Sequence, residues 1–422
     1  MNSVERIFAN HLVEGPGRVS PGDLVRVKVD KAILLDISAL HPEFVNNPPK
    51  RPFDPSKVAV VFDHFVPPPS VEISDAVAKL RKLVKRWGVE SFYDYGRGGI
   101  SHTLAAEEGW LLPGRLVANT DSHTCATGAY SCLGRGLGTP EMMQVVCTGE
   151  TWFLVGETSR VELGGRLQRG VEAKDAFLEL ASTVGGIQNG NLEFAGDGVG
   201  SLSIDERAVI STMCAEIDAE FAVFPHDGVL ESYLEGKAEA PYAPAGPDDD
   251  AEYKERYSVD LGGVVPLVAS PDAVIGHVRP VSEVEGTLID QAVIGSCANG
   301  RLSDLKNAAE ILRGRKVSGG VRLIVTPATQ RIYQQADGLG YLSEIVRAGG
   351  LVTNPTCGSC FGGHMGLLGD GDICISSTTR NFKGRMGSSG AEIYLASSST
   401  VAASAVSGKI TDPRSMFAGW RD

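Results

Sequence analysis

The sequence predicts an α/β protein with substantially parallel sheet, and three observations carry that prediction. Short β-branched runs alternate with helical segments along the chain. The first three runs each end in a turn bearing polar, chemistry-capable side chains, which is where open α/β sheets bind ligands. Glycine, 51 of 422 residues, falls in clusters such as Gly96-Arg97-Gly98-Gly99 and Gly358-Ser359-Cys360-Phe361-Gly362-Gly363, not in a periodic repeat. Such clusters mark tight turns or close approach of backbone to a ligand.

Taken in order, the runs are residues 58–62, 91–95, 115–119, 292–294, 321–325 and 373–375. Between the first two an amphipathic helix is expected to begin near Ser74 or Asp75, with Val77, Leu80, Val84 and Trp87 on one face. Its cations Lys79, Arg81, Lys82, Lys85 and Arg86 read as a solvated face, with a binding patch as the alternative. The exits carry Asp63-His64, then Gly98-Gly99-Ile100-Ser101-His102, then Asp121-Ser122-His123-Thr124. Later exits carry Gly295-Ser296-Cys297 and Thr378-Thr379-Arg380, so two α/β units are expected to serve one site. Residues 235–256 turn Ala/Pro/Asp-rich and read as an exposed acidic loop or linker between a histidine-bearing and a cysteine-bearing half.

Composition narrows the function classes. With 39 Lys+Arg against 52 Asp+Glu, a formal charge of −13, a general nucleic-acid surface is not expected, while local arginine pockets for small anions remain open. Residues 1–8 lack the charged start and apolar core of a secretion signal, and no apolar run approaches the ~18 residues of a membrane span. A cytoplasmic protein without membrane contact is the expectation. Eight cysteines are too sparse for a disulfide scaffold, so closely spaced ones read as metal ligands or reactive thiols.

Cys357-Gly358-Ser359-Cys360 is the strongest local signal. Structural zinc, a redox pair and an iron–sulfur cluster all use this spacing. Cys297, in an upstream strand-exit turn, supplies a third ligand of the same kind and suggests a centre with one open position, suited to Lewis-acid chemistry. Cys125, Cys132, Cys147, Cys214 and Cys374 read as packing residues. His64, His102 and His123 sit at successive exits with Asp63 and Asp121 nearby to orient imidazoles or hold a proton; a zinc-dependent hydrolase built on the three histidines is a competing reading. Arg380 and Arg385 flank a glycine-containing turn and fit a substrate with more than one carboxylate.

Together, Asp121-Ser122-His123-Thr124, Gly295-Ser296-Cys297-Ala298-Asn299-Gly300-Arg301, Cys357-Gly358-Ser359-Cys360 and Arg380-Asn381-Phe382-Lys383-Gly384-Arg385 resemble the aconitase superfamily. The length is similar to its branch of separate large subunits, those of 3-isopropylmalate dehydratase and homoaconitase. The resemblance implies three α/β/α domains around a cluster-containing cleft, here 1–165, 166–285 and 286–422, with the swivelling domain absent. It implies a hydro-lyase of leucine-type biosynthesis acting on a 2-hydroxy di- or tricarboxylate such as a substituted malate. A [4Fe-4S] cluster on Cys297, Cys357 and Cys360 is implied, with a small swivelling subunit that supplies the catalytic serine. Asp63 and His64 would serve the departing hydroxyl, His102, Asp121 and His123 the proton and water network, Glu216 the metal-bound water, and Arg380 and Arg385 the substrate carboxylates. Thr212 and Thr379 stand where the family commonly has Asn, Leu35 where it has His, Ser101 where it has Cys, and Lys383 adds a cation to the arginine loop. A homoaconitase- or dimethylmalate-type dehydratase, or a non-enzymatic iron–sulfur sensor on the same fold, are the alternatives.

Overall fold

The structure, a computed structural model, describes residues 1–15 and 17–417; the last residues of the segment expected to end at 422 lie outside it. The chain groups into two compact units: Met1–Gly164 with Ile187–Ser258, and Gly165–Gly186 with everything from Val259 onward.

In the first unit, five parallel strands lie in the spatial order Ser91–Tyr93, Val58–Val61, Lys31–Leu35, Leu116–Asn119, Leu133–Gly136. Numbered along the chain this is 3-2-1-4-5, so the winding starts at the centre and reverses between Lys31–Leu35 and Leu116–Asn119. Both sheet faces are covered, which explains why the strands read as unbroken apolar runs instead of alternating ones. Ala32, Leu34, Val58 and Val60 join one core with Val77, Leu80, Val84 and Trp87. Their neighbours Ile33, Leu35, Ala59 and Val61 join another with Leu104, Ala105 and Trp110. Each buried Val, Leu or Ile among them contributes about 1.5–3 kcal/mol on burial.

The amphipathic helix is Val71–Trp87, so it starts earlier than the apolar spacing alone indicates. The Ser70 side chain caps it by accepting from the Ile73 N–H, and Gly88 closes it in the left-handed region at φ 70°. Lys79, Lys82, Lys85 and Arg86 are exposed as expected of a solvated face. Arg81 differs: its guanidinium donates to both oxygens of Asp94, at 2.5 and 2.8 Å.

A second sheet orders Phe221–Val223, Asn191–Ala195, Thr158–Gly164 and Arg256–Asp260, and the chain passes into the second unit within the last of these. Residues 236–255 contain no helix or strand and are mostly exposed, as the acidic loop required. They stay with the first unit, where Glu239 accepts from Arg115 at 2.6 Å.

The second unit carries seven strands, of which five are parallel: Glu392–Ala396, Ile373–Ser376, Gln291–Gly295, Arg322–Thr326 and Leu351–Val352. Along the chain this is 5-4-1-2-3, the winding of the first sheet again, with its reversal between Gln291–Gly295 and Ile373–Ser376. Two antiparallel strands, Leu267–Ala269 and Val278–Pro280, extend one edge. The early helix Ala173–Val184 belongs here too: the Leu267 N–H donates to Asp175 at 2.9 Å. All six runs expected from sequence are strands. Among the described residues no helix is long and apolar enough to cross a membrane.

Candidate active site

Each unit presents chemistry at the carboxyl ends of its parallel strands, beside the point where the winding reverses. In the first unit the segment after Val58–Val61 carries Asp63 and His64. Asp36, immediately after Lys31–Leu35, shapes this turn: its carboxylate accepts the N–H groups of Asp63 (3.4 Å), His64 (3.1 Å) and Phe65 (2.7 Å). Asp63 in turn accepts from His64 Nδ1 at 2.7 Å and from the Ser101 N–H at 3.0 Å. The helix Ser101–Glu107 is thus pinned to the Asp63 turn. Ser101, which replaces a cysteine of the family pattern, also accepts from Asn119 Nδ2 at 3.0 Å.

Burial pushes the Asp63 carboxyl up to about 6, against the pull of the His64 charge. Burial also disfavours the His64 cation, but the Asp63 carboxylate outweighs it and lifts the imidazole to about 9. Between those values the pair is an ion pair, with 12 % of the His64 side chain still exposed.

His123 is held from two sides. Asp121 accepts its backbone N–H at 2.7 Å and lies 3.7 Å from ring Nδ1, and ring Nε2 meets Glu216 Oε1 at 2.7 Å. Glu216 comes from the short helical turn Cys214–Ile217, so the imidazole is oriented by a carboxylate far away in sequence. Asp121 is buried, which opposes its ionisation, yet its contact with His123 and the charges of His102, His123 and His64 hold it well below the usual carboxylate range. The three strand exits therefore converge on one aspartate. His102 is 1 % exposed, and neither ring nitrogen has a hydrogen-bond partner among the described residues. Asp36, Asp63 and His64 are the residues whose ligand atoms come within 4.8 Å of one another, a set that includes neither His102 nor His123. The carboxylate of Asp36 is occupied by three backbone donors, so a positioning role accounts for this set better than zinc does.

In the second unit Cys297 opens the turn after Gln291–Gly295. Gly295 has φ 136°, and a Cβ there would stand 2.3 Å from the Thr326 carbonyl oxygen, so only glycine lets the chain turn. Cys357 and Cys360 bracket the tight turn after Leu351–Val352, and all three cysteines are buried. Ser296 Oγ lies 3.6 Å from Cys297 Sγ, and Thr379 Oγ1 lies 3.7 Å from Cys360 Sγ. The hydrogen bond with Cys357 and the Arg385 charge hold Cys360 well below an ordinary thiol despite burial. Arg385 donates toward Cys360 Sγ over 3.8 Å, and the charges of Cys360, Cys357 and Cys297 keep it cationic. Cys125, Cys132, Cys214 and Cys374 show the opposite behaviour: burial raises each thiol, Cys125 to about 12. Cys374, the fourth cysteine of this unit, faces the Ile375 carbonyl of its own strand.

Sequence reasoning missed Lys174. It is fully buried on the helix Ala173–Val184, and its ammonium donates to the carbonyls of Ser377 (2.5 Å) and Thr378 (2.6 Å). Burial lowers it to about 8, opposed by the charges of Asp304, Cys297 and Cys360. Asp36 was also missed, although the strand-exit rule that found Asp63 applies to it. Lys383 is exposed and lies 3.6 Å from Asp272. The Thr212 hydroxyl donates to the Ala208 carbonyl of its own helix at 2.6 Å, and Leu35 is packed into the sheet core.

Comparison with known proteins places these features. The profile of the aconitase family (aconitate hydratase) matches residues 55–408. The chain belongs to the aconitase family. Among its relatives, the 3-isopropylmalate dehydratase large subunit of Mycolicibacterium smegmatis is 47 % identical over 100 % of this chain and 98 % of its own length. Large subunit 2 of the Rubrobacter xylanophilus enzyme is 43 % identical, covering 94 % of each chain. A probable large subunit from Methanothermobacter thermautotrophicus is 41 % identical over 99 % of each. The crystal structure of Thermococcus kodakaraensis aconitase X in its holo form superposes with a TM-score of 0.50 at 13 % identity, over 84 % of both chains, a likeness of fold. Membership of the aconitase family implies an iron–sulfur cluster. The donor set fits one: three buried sulfurs accompanied by hydroxyl and guanidinium donors, the usual partners of thiolates.

Proposed function

We propose that the chain is the large subunit of a two-subunit hydro-lyase that interconverts substituted malates such as 3-isopropylmalate. Water leaves from the hydroxyl carbon and the adjacent C–H, a C=C bond forms, and water returns at the neighbouring carbon. The observation that carries the reading is the cysteine set: three buried sulfurs with cations beside them, and the unit's fourth cysteine turned to its own strand. Cys297, Cys357 and Cys360 would hold a [4Fe-4S] cluster, which supplies Lewis acidity toward a substrate oxygen when bound.

The remaining chemistry belongs to the chain's own side chains. The His64 imidazolium, kept charged by Asp63, donates its proton to the departing hydroxyl and takes it back on return. His123 with Glu216 holds a second proton, and Asp121 and His102 complete the network that moves it. Arg380 and Arg385 bind the substrate carboxylates, where paired N–H donors suit a planar anion. The carbon base is a serine of the small partner subunit. The three larger sheets, one falling mostly in each of 1–165, 166–285 and 286–422, support a three-domain division of the chain.

Of the positions that depart from the family pattern, Leu35 serves packing and Thr212 its own helix, while Thr379 meets Cys360, so turnover is what separates a hydro-lyase from a sensor. The test is anaerobic reconstitution with iron, sulfide and the small subunit, following the ultraviolet absorbance of the unsaturated acid over a panel of malates. Turnover on at least one is expected; none on any member sinks the reading.

A further inference from the structure

We propose that Lys174 is a positioning residue of the cysteine site: it clamps the turn leading to Thr379 and Arg380 and sets a buried positive charge in the field of Cys297 and Cys360. The inference rests on the iron–sulfur reading above.

The clamp is visible in the geometry. One ammonium donates to two consecutive carbonyls, Ser377 and Thr378, from a helix about 200 residues earlier in the chain. The same turn is tied to the Cys297 turn, because the Gly295 N–H donates to Ser377 Oγ at 3.1 Å. It is tied to itself as well: Ser376 Oγ donates to Thr378 Oγ1 at 2.8 Å and accepts from the Thr378 N–H at 3.1 Å. Thr379, the next residue, has its hydroxyl 3.7 Å from Cys360 Sγ. A shift of the turn therefore changes how Thr379 meets Cys360 and where Arg380 starts.

The charge follows from accounting for its counterions. A fully buried ammonium is costly unless negative groups compensate it. Four are in range: Asp304, Cys297, Cys360 and Asp175. Asp304 already accepts from Asn299 Nδ2, the Arg301 N–H and Ser398 Oγ. Asp175 already accepts from the Leu267 and Glu172 N–H groups. Two of the four charges that face the ammonium are therefore cysteine sulfurs, with Asp304 the largest, and the anionic form of those sulfurs is the one a fixed cation favours. A methionine would fill the same length without the cost of burying a charge, but would lose both carbonyl bonds and the charge that faces these anions.

The experiment reconstitutes the full-length wild-type chain, Lys174→Met and Lys174→Gln anaerobically with iron and sulfide. It reads the cluster midpoint potential by an EPR-monitored titration and the rate of iron loss to a chelator. Loss of a nearby positive charge disfavours the reduced cluster, so both variants are expected at a more negative potential than wild type. Lys174→Met, which also loses the clamp, is expected to release iron about tenfold faster or more. Lys174→Gln keeps an amide donor for the turn and should release iron more slowly than the Met variant. Should Lys174→Met not fold, Lys174→Arg replaces it, with wild-type potential expected against the lowered value of Lys174→Gln. Potentials equal to wild type in Lys174→Met and Lys174→Gln, or in Lys174→Gln where Met does not fold, overturn the inference while leaving the cluster reading intact. A wild-type chain that takes up no iron and sulfide overturns the cluster reading, and this inference with it.

Discussion

The five-stranded sheet of the first unit and the five parallel strands of the second are wound in the same order and reverse beside their central strand, yet they carry opposite chemistry. At the first reversal stand carboxylates and imidazoles: Asp36, Asp63, His64, Asp121 and His123. At the second stand thiols and cations: Cys297, Cys360, Lys174 and Arg385. The comparison separates two things that a fold does. Winding decides where backbone ends are left open for side chains, and the residues placed there decide which charge sign that opening stabilises. In the first unit an aspartate collects the charge of three histidines. In the second a guanidinium faces the charge of three cysteines, and an ammonium that of Asp304 and two of the same cysteines.

The sharpest way to break the comparison is to remove the sulfurs. Cys297→Ser, Cys357→Ser and Cys360→Ser are each expected to lose nearly all bound iron and acid-labile sulfide after reconstitution, whereas Cys374→Ser and Cys125→Ser retain them. Equal loss in all five would erase the distinction between ligand and packing cysteines.

Next in size is the histidine site of the first unit. His64 keeps its proton to about pH 9, so kcat/KM is expected to fall as pH rises through that value. In Asp63→Asn the imidazole returns toward its ordinary value of about 6.5, the alkaline limb moves down with it, and kcat at pH 7.5 drops by about 10²-fold or more. A limb that stays in place would show that His64 does not donate the proton. Linkage gives the same shift a stability consequence. The raised folded-state value stabilises the unit fully below about pH 6.5, and that contribution is lost as pH climbs through about 9.

The smallest effect serves as the control. Ser70→Ala removes the cap of helix Val71–Trp87 and should lower the stability of the first unit by about 1 kcal/mol in thermal unfolding, leaving the pH limbs and iron content unchanged. A displaced limb would mean that the histidine site senses helix stability and not its own pairing.

Much of this was legible in the sequence because it is local. A run such as Val58-Ala59-Val60-Val61 can be buried on both faces only as an inner strand, and the polar residues that follow must then emerge at its end. Gly295 beside Cys297, and the glycines around Cys357 and Cys360, likewise announce sharp turns from composition alone. What escaped is non-local. Glu216 pairs with His123 across 93 positions, and nothing near Asp121 and His123 signals that the ring also reaches a second carboxylate. Lys174 sits in an Ala-Lys-Asp stretch that resembles any helix surface, and only the packing of its helix against a sheet made much later turns that surface inward. The start of Val71–Trp87 was misplaced because its first turn is exposed and held by a cap, which apolar spacing does not report.

The helix bearing Lys174 has a consequence for how the chain is made. Residues 165–186 are synthesised before 187–258, which belong to the other unit, and 203 positions separate Lys174 from the Ser377 carbonyl it binds. At ~5–20 residues per second a nascent chain carries this helix for roughly 5–20 s before Leu267, whose N–H binds Asp175, is made, and for roughly 10–40 s before the Ser377 turn is. Until the sheet is complete Phe177 and Leu178, buried in the finished protein, lack part of their cover. The first unit can close as soon as its last segment emerges, whereas the cysteine-bearing unit stays open until translation is almost complete. Chaperone demand should therefore fall on the stretch between the two events, and a product terminated near Ser258 should be the aggregation-prone one.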